Sequence, residues 1–456
     1  MPGFGVGIFA RVYYMTDANE YMKVLRHEGP FLFGVIHVEL PLISYFHSVG
    51  WALMDKEKGY FGQGQRWKRQ RKFLQADLLS PSAARGYIPG MIQAAKVASN
   101  GMADFCSDVN EFMVRTTFDM FSSMMFGEIA GIANPKSNPD PENMKFCISL
   151  KEGLGSIYPL MIAPHIRLLL KFGIKLAEYK HFEEHFSISR CIATAKLEAF
   201  RGKKERQALT EAEKASYFSR AIDRMKADPE SISEKELAEI GLLLLAASVD
   251  TTSSFLNWCI VHLAMNPDVQ ETLYLELSNN FRKSQEGELT AVMISKAVSP
   301  YLHATIRESH RMTPAIPLTL MKSNCLSDVE IHGVIIPKGS RIGLDTYSIG
   351  MDPEYVPDFN LFRPERWLDD EVKKRTGTPA EMIDHPLYRE PFSAGARKCP
   401  GSRVANYEVL VMISQLVMDW KISFEDESIT SLDDIRHFHG LTVQPKVPRL
   451  KVTPRA

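Results

Sequence analysis

Pro391-Phe392-Ser393-Ala394-Gly395-Ala396-Arg397-Lys398-Cys399-Pro400-Gly401 places one cysteine between two glycines, two residues after an arginine and shortly before an apolar helical run, Val404 to Trp420. A thiolate is a strong electron-donating ligand for haem iron and favours O–O bond cleavage there. The neighbours suit that use. Gly395 and Gly401 let backbone approach a flat ring with no Cβ in the way. The start of the following helix favours a negative sulfur, and Arg397 can meet a haem propionate through a charge-assisted hydrogen bond. A lone cysteine in a glycine-rich turn is more often simply a buried structural residue. The spacing around it has to separate the two readings.

That spacing, Phe-x-x-Gly-x-Arg-x-Cys-x-Gly, resembles the haem-binding loop of the cytochrome P450 superfamily at every fixed position. The resemblance implies haem b with Cys399 as axial iron ligand, and Phe392, Gly395, Arg397 and Gly401 as cofactor-binding positions around it. It also implies a mainly α (α+β) fold: a large helical domain with a small β-rich part, the haem lying between a long central helix (234–265) and the cysteine loop with its following helix (391–420).

Composition agrees with one large domain spanning 1–456. The chain is 45% hydrophobic and 24% charged, with no linker, repeat or low-complexity tract. A formal charge of −1 argues against general nucleic-acid affinity. The six cysteines (Cys106, Cys147, Cys191, Cys259, Cys325, Cys399) show no Cys-x-x-Cys spacing, which suits a reducing compartment rather than a disulfide scaffold or zinc site. The longest apolar run, Ile240 to Val249, is about half a membrane span and reads as a buried core helix. No signal or transit segment is evident at the start.

Periodicity predicts a strand-like Ile8 to Tyr14, then helices over Ala18–His27, Tyr60–Leu79, Ile92–Phe126 with a break near Asp108–Asn110, Pro141–Gly155, Tyr179–Phe200, Glu234–Met265, Asp268–Phe281 and Ser299–Met312. Short strands follow at Asp328–Gly333, Val334–Pro337 and Ser340–Asp345.

Four further groups stand in the superfamily's order. Ala246-Ala247-Ser248-Val249-Asp250-Thr251-Thr252 interrupts an apolar helix with polar groups whose burial without partners would cost several kcal/mol. Small Ala247 and the Thr251 hydroxyl share a face at i, i+4. The stretch resembles the superfamily's oxygen-activation motif, which implies that Ala247 borders the oxygen groove and that Asp250 and Thr251 are the catalytic proton relay; Ser248 stands where that motif has glycine. Glu308-Ser309-His310-Arg311 and Arg366 of Phe362-Arg363-Pro364-Glu365-Arg366-Trp367 resemble the structural charged triad Glu308, Arg311 and Arg366. Trp67 and Arg71, at i, i+4, resemble a haem-propionate contact. The surrounding basic residues Arg66, Lys68, Arg69 and Lys72, with Lys398 and Arg403 beside the cysteine, read as a docking face for an acidic electron donor or, more blandly, a solvated face.

Finer details resemble the mitochondrial, ferredoxin-dependent branch: Val249-Asp250-Thr251-Thr252-Ser253 followed by Trp258 and His262, Glu28-Gly29-Pro30, and Phe362 to Trp367. That branch implies a ferredoxin with its NAD(P)H-dependent reductase as partners, with a flavoprotein reductase as the alternative. It implies a peripheral place on the matrix side of the mitochondrial inner membrane, with the endoplasmic reticulum membrane as the alternative. Two basic residues that contact ferredoxin there align with His303 and Arg307. An arginine expected as a propionate partner aligns with Met321, beside Lys322. The first strand and helix of the family have no counterpart before Ile8.

The expected activity is insertion of one oxygen atom of O2 into an apolar, sterol- or lipid-like substrate. The alternatives are a peroxygenase or isomerase on the same fold, or a non-catalytic haem-binding protein. By resemblance the substrate lining comes from Phe46–Tyr60, Tyr158–Phe172 and Pro314–Met321. The apolar stretch Tyr158–Phe172 reads equally as a lid or as a segment touching a membrane.

Overall fold

The computed structural model describes residues 12–27, 45, 46, 48–51, 64–162, 164–284, 287–317, 321–323, 327–389, 391–440 and 442–455. The helices that frame the site are α1 (Ala18–Arg26), α2 (Gly64–Leu78), α3 (Ile88–Ser99), α4 (Val109–Phe126), α5 (Pro141–Gly155), α6 (Ala177–Glu205), α7 (Glu234–Met265), α8 (Pro267–Ser284), α9 (Pro300–Met312) and α10 (Ser402–Asp419). The strands are β1 (Val12–Met15), β2 (Met321–Ser323), β3 (Val329–Ile331), β4 (Val334–Ile336), β5 (Arg341–Leu344), β6 (Trp420–Phe424), β7 (His437–His439), β8 (Val443–Pro445) and β9 (Leu450–Pro454). This is the mainly α arrangement with a small β part that the sequence implies.

The centre of the molecule is α7, whose bounds are those expected. It starts with a capping box: Ser233 Oγ accepts from Glu236 N at 3.2 Å while Glu236 Oε2 accepts from Ser233 N at 2.9 Å. It stops at Asn266, because Pro267 cannot continue it. Being apolar nearly all round, α7 has to bury most of its surface. It does so against α4, α6 and α10. Among the described residues it is also the one helix long and apolar enough to cross a membrane, yet 67% of its most apolar window is buried in protein, as a core helix requires.

The β part sits to one side. β5 pairs parallel with β1 (Val12 opposite Arg341) and antiparallel with β2 (Met321 opposite Gly343). β3 and β4 form a hairpin whose two turn residues, His332 and Gly333, both take positive φ, as a primed two-residue turn demands. These strands and α1 share a small core of Tyr21, Val24, Val329, Ile342 and Leu344. Two further antiparallel pairs, β6–β9 and β7–β8, close the chain.

The charged triad is assembled as expected, and larger. Glu308 is fully buried and accepts from Arg311 Nη2 at 2.8 Å and Nε at 3.0 Å, from Arg366 Nε at 2.9 Å and from the Arg363 backbone N at 3.1 Å. A further member, unforeseen from sequence, is Trp367, whose indole Nε1 donates to Glu308 Oε2 at 2.7 Å. The arginines then cap the Gly350, Pro357 and Asp358 carbonyl oxygens of the coil ahead of the cysteine loop.

Several expectations shift. Residues 211–227 fold into two unforeseen helices, Glu211–Ala215 and Tyr217–Ala227, started by the caps Thr210 and Ser216. The stretch 158–172 lies in two short helices, Ile157–Ile162 and Pro164–Lys171. Trp420 leaves the last helix and opens β6. Residues 8–11, Glu28-Gly29-Pro30, Cys325 and part of the proposed lining (His47, 52–60, Ala163, 318–320) lie outside the described residues.

Candidate active site

Helix α2 divides its side chains by face. Trp67 and Arg71 are buried, while Lys68, Arg69 and Lys72 are exposed. The buried pair meets the cysteine loop some 330 positions later. The Arg397 guanidinium lies over the Trp67 ring at 4.2 Å from its centroid, a cation–π contact. Arg71 Nη2 donates to the Lys398 carbonyl oxygen. The loop itself is folded by its backbone: Cys399 N donates to Phe392 O at 2.9 Å and Lys398 N to Gly395 O at 3.1 Å. Gly395 takes φ +76°, where a Cβ would be strained. Cys399 is half-buried, and α10 begins three residues beyond it, with Ala405 N donating to Gly401 O at 2.8 Å.

Helix α7 shows an exposed position within its otherwise buried middle. Ala247 is exposed, though Ala246 and Val249 beside it are buried. Thr251 Oγ1 donates to the Ala247 carbonyl oxygen at 2.8 Å. Burial pushes the Asp250 carboxyl above the ordinary carboxylate range, and hydrogen bonds from Thr442 Oγ1 (3.3 Å) and Gln444 Nε2 (3.0 Å) partly offset that. Ser248, the departure from the motif, directs its hydroxyl to Glu408 Oε2 on α10 at 3.4 Å, and Thr252 reaches the same oxygen at 3.5 Å. Glu408 is fully buried, and burial raises its pKa to about 8, so it is largely neutral near pH 7. The helix that follows Cys399 is thereby joined to the helix of Asp250 and Thr251.

The residues present fit the implied haem. A thiol, two guanidinium groups and an indole N–H gather at one loop, a donor set for a soft metal and for anionic propionates. Small Ala247 is exposed on α7. A Cβ added at Gly401 would meet only the Cys399 sulfur, at 3.9 Å, so no protein contact demands glycine there.

Three expectations are corrected. Arg307 does not present a free cation: its guanidinium stacks 3.6 Å from the Trp367 ring centroid, lies 3.5 Å from Asp384, and is drawn by burial down to about pKa 9. His303 is turned inward, its Nε2 2.9 Å from the Ile294 carbonyl oxygen, and burial lowers its pKa, favouring the neutral ring. Arg66 belongs to the α7 cap through Glu236 rather than to the open basic face. Met321 and Lys322 both lie in β2, and Lys322 is buried.

Three site residues were not foreseen. Glu408 left a trace, one carboxylate within an apolar helical run. Thr442 and Gln444 left none, because only the folded chain brings a closing strand to a helix about 190 residues earlier.

A glycine-bearing cysteine loop met by Trp67 and Arg71, and a central helix carrying an exposed small residue with an acid–threonine pair, together point to a haem-thiolate protein. The chain belongs to the cytochrome P450 family: the family model described as "Cytochrome P450" matches residues 52–452. It is 25% identical over 426 residues to sterol 26-hydroxylase, mitochondrial, of Mus musculus, covering 90% of this chain and 76% of that one. Ferruginol synthase of Salvia miltiorrhiza is 27% identical over 411 residues (87% and 77%), and the mitochondrial cholesterol side-chain cleavage enzyme of Mesocricetus auratus 23% over 447 (96% and 78%). The protein is a cytochrome P450 monooxygenase with thiolate-ligated haem b, using O2 and electrons from a redox partner to oxidise an apolar substrate.

Proposed function

We propose that Cys399 ligates the haem iron, that Trp67, Arg71 and Arg397 hold the propionates, and that Asp250 and Thr251 deliver protons on the opposite side. Bound haem supplies oxygen activation and insertion into a C–H bond. This chain's residues supply the rest. Gly395 and Gly401 admit the ring, Ala247 leaves room beside it, and Thr251 Oγ1, its own proton donated to the Ala247 carbonyl oxygen, holds an acceptor at a fixed point for a proton to pass through. Asp250 supplies that proton, its raised pKa making the neutral acid accessible. The observation that carries this reading is the half-buried, hydrogen-bonded Asp250 next to Thr251 on α7, about one turn from exposed Ala247. Replacing Thr251 by Ala is expected to leave the haem spectrum intact, while product formed per electron falls roughly tenfold or more and peroxide rises, at or below the effect of losing a positioned proton donor. An unchanged product yield would sink the assignment.

The substrate class favoured is sterol- or terpenoid-like, supported by relatives named for sterol, geraniol and ferruginol chemistry. The partner favoured is a ferredoxin with its reductase, and the compartment the matrix side of the mitochondrial inner membrane. Relatives with mitochondrial names support both. Exposed Leu168, Phe172 and Ile174 beside the Pro164–Lys171 helix supply an apolar edge for peripheral membrane contact. The docking face comprises Lys68, Arg69, Lys72 and Arg403, with Lys398 at its margin. Reversing Lys68 and Lys72 together to Glu is expected to raise the KM for ferredoxin about tenfold at low salt, with the difference shrinking as ionic strength rises. A salt-independent effect, or none, counts against this face.

A further inference from the structure

Asp250 is held from outside its own helix. Gln444 Nε2 donates to Oδ1 at 3.0 Å, Thr442 Oγ1 donates to Oδ2 at 3.3 Å, and the same amide reaches Thr442 Oγ1 at 3.2 Å. The strand segment is itself pinned. Ser254 Oγ and Trp258 Nε1, on α7, both donate to the Val443 carbonyl oxygen, at 3.0 and 2.7 Å, and Val443 N donates to Ala315 O at 2.8 Å. Residues 442 and 444 therefore point to one side, as strand alternation requires, and that side is the Asp250 carboxylate. Among the described residues no charged side chain contributes to its surroundings: burial opposes the charge, and the two β8-side donors support it. The titratable group facing this level of α7 from α10 is Glu408, which meets Ser248 and Thr252 instead. From α4 the contact is the neutral Thr117, whose Oγ1 donates to Val249 O at 3.4 Å.

We propose that Gln444, assisted by Thr442, is a positioning residue for proton delivery. It fixes the Asp250 carboxyl in one orientation and keeps it able to ionise where no cation among the described residues does so. In each delivery one proton leaves the carboxyl toward Thr251 and one is taken up from solvent, so the carboxyl is restored; two such deliveries match the two protons and two electrons that one O2 consumes in giving one hydroxyl group and one water. A buried carboxylate without donors stays neutral and stops cycling. A donor on a strand beyond the helix also ties the relay to the seating of the β7–β8 hairpin. This inference rests on the reading of Asp250 as proton donor.

The test is an infrared pH titration of the Asp250 carboxyl in the purified full chain, its band identified by loss in Asp250→Asn, together with product formed per electron. Gln444→Leu is expected to move the midpoint up by about one pH unit or more, the equivalent of one hydrogen bond to a charged group, and to lower product per electron without altering the haem spectrum. Gln444→Lys, which sets a cation beside the carboxylate, is expected to move the midpoint down. Opposite shifts are not produced by loss of packing. If Gln444→Leu fails to fold, Gln444→Lys and Thr442→Val give the same readout. Midpoints and yields at wild-type values in the folded variants overturn the role of Gln444. An unchanged yield in Asp250→Asn overturns the underlying proton-delivery reading instead.

Discussion

Glu308→Ala is expected to yield little folded, haem-loaded protein. Its carboxylate accepts from two arginine side chains, one indole and one backbone N–H inside a site sealed from water. Deleting it leaves two buried guanidinium groups without their shared counter-charge. Breaking a buried pair this way costs about 3–5 kcal/mol, a large part of the roughly 5–15 kcal/mol that holds a domain together. The damage would spread to the coil that the arginines cap at Gly350, Pro357 and Asp358. Glu308→Gln, which keeps the shape and one acceptor, is expected to lose less. Denaturant unfolding and the yield of thiolate-type reduced carbon monoxide spectrum measure both. Lys374→Ala, at an exposed i, i+3 pair with Glu371, serves as the control that should leave the midpoint in place. A Glu308→Ala protein within about 1 kcal/mol of wild type would mean that the cluster is not structural.

Much of this was legible because the informative features are local. Ser233 followed three residues later by Glu236, and Asn266-Pro267 at the far end, fix α7 to the residue. The i, i+4 spacing of Trp67 and Arg71 puts both on one buried face of α2. Glu308 and Arg311 are one helical turn apart, and the spacing of the cysteine loop is contiguous. What escaped reading depends on the partner rather than on the residue. Arg307 has the same side chain whether it faces a ferredoxin or stacks on Trp367, and only packing of α9 against the 364–367 turn decides between them. His303 and Arg66 were read outward for the same reason. Thr442 and Gln444 gain meaning only when β8 lies along α7. Ser248 stands where the oxygen-activation motif has glycine. In the fold its hydroxyl turns to Glu408, a contact between two helices with no trace in either segment alone.

Cys399→Ser separates the chemistry from the scaffold. Contacts that shape the loop include Cys399 N to Phe392 O, Lys398 N to Gly395 O, Arg71 to the Lys398 carbonyl oxygen and Arg397 over Trp67, which are made by backbone atoms or by other side chains, and serine is close to cysteine in size. The variant is therefore expected to keep its unfolding midpoint within about 0.5 kcal/mol, as a change that opens no cavity and buries no orphaned charge does. It is also expected to lose the thiolate-type reduced carbon monoxide spectrum and more than about 100-fold in product formation, beyond the 10–100-fold that loss of a mere supporting partner costs at a metal site. The result would be overturned if the spectrum survived, since another cysteine would then be the ligand. Three of the others are poorly suited to that part. Burial raises the Cys106 and Cys147 thiols and pushes Cys259 up to about 12, so each is held protonated and gives up its proton to a metal only at extra cost. Cys399 differs by its place: half-buried, three residues ahead of α10, in a loop that Arg71 and Arg397 help to hold.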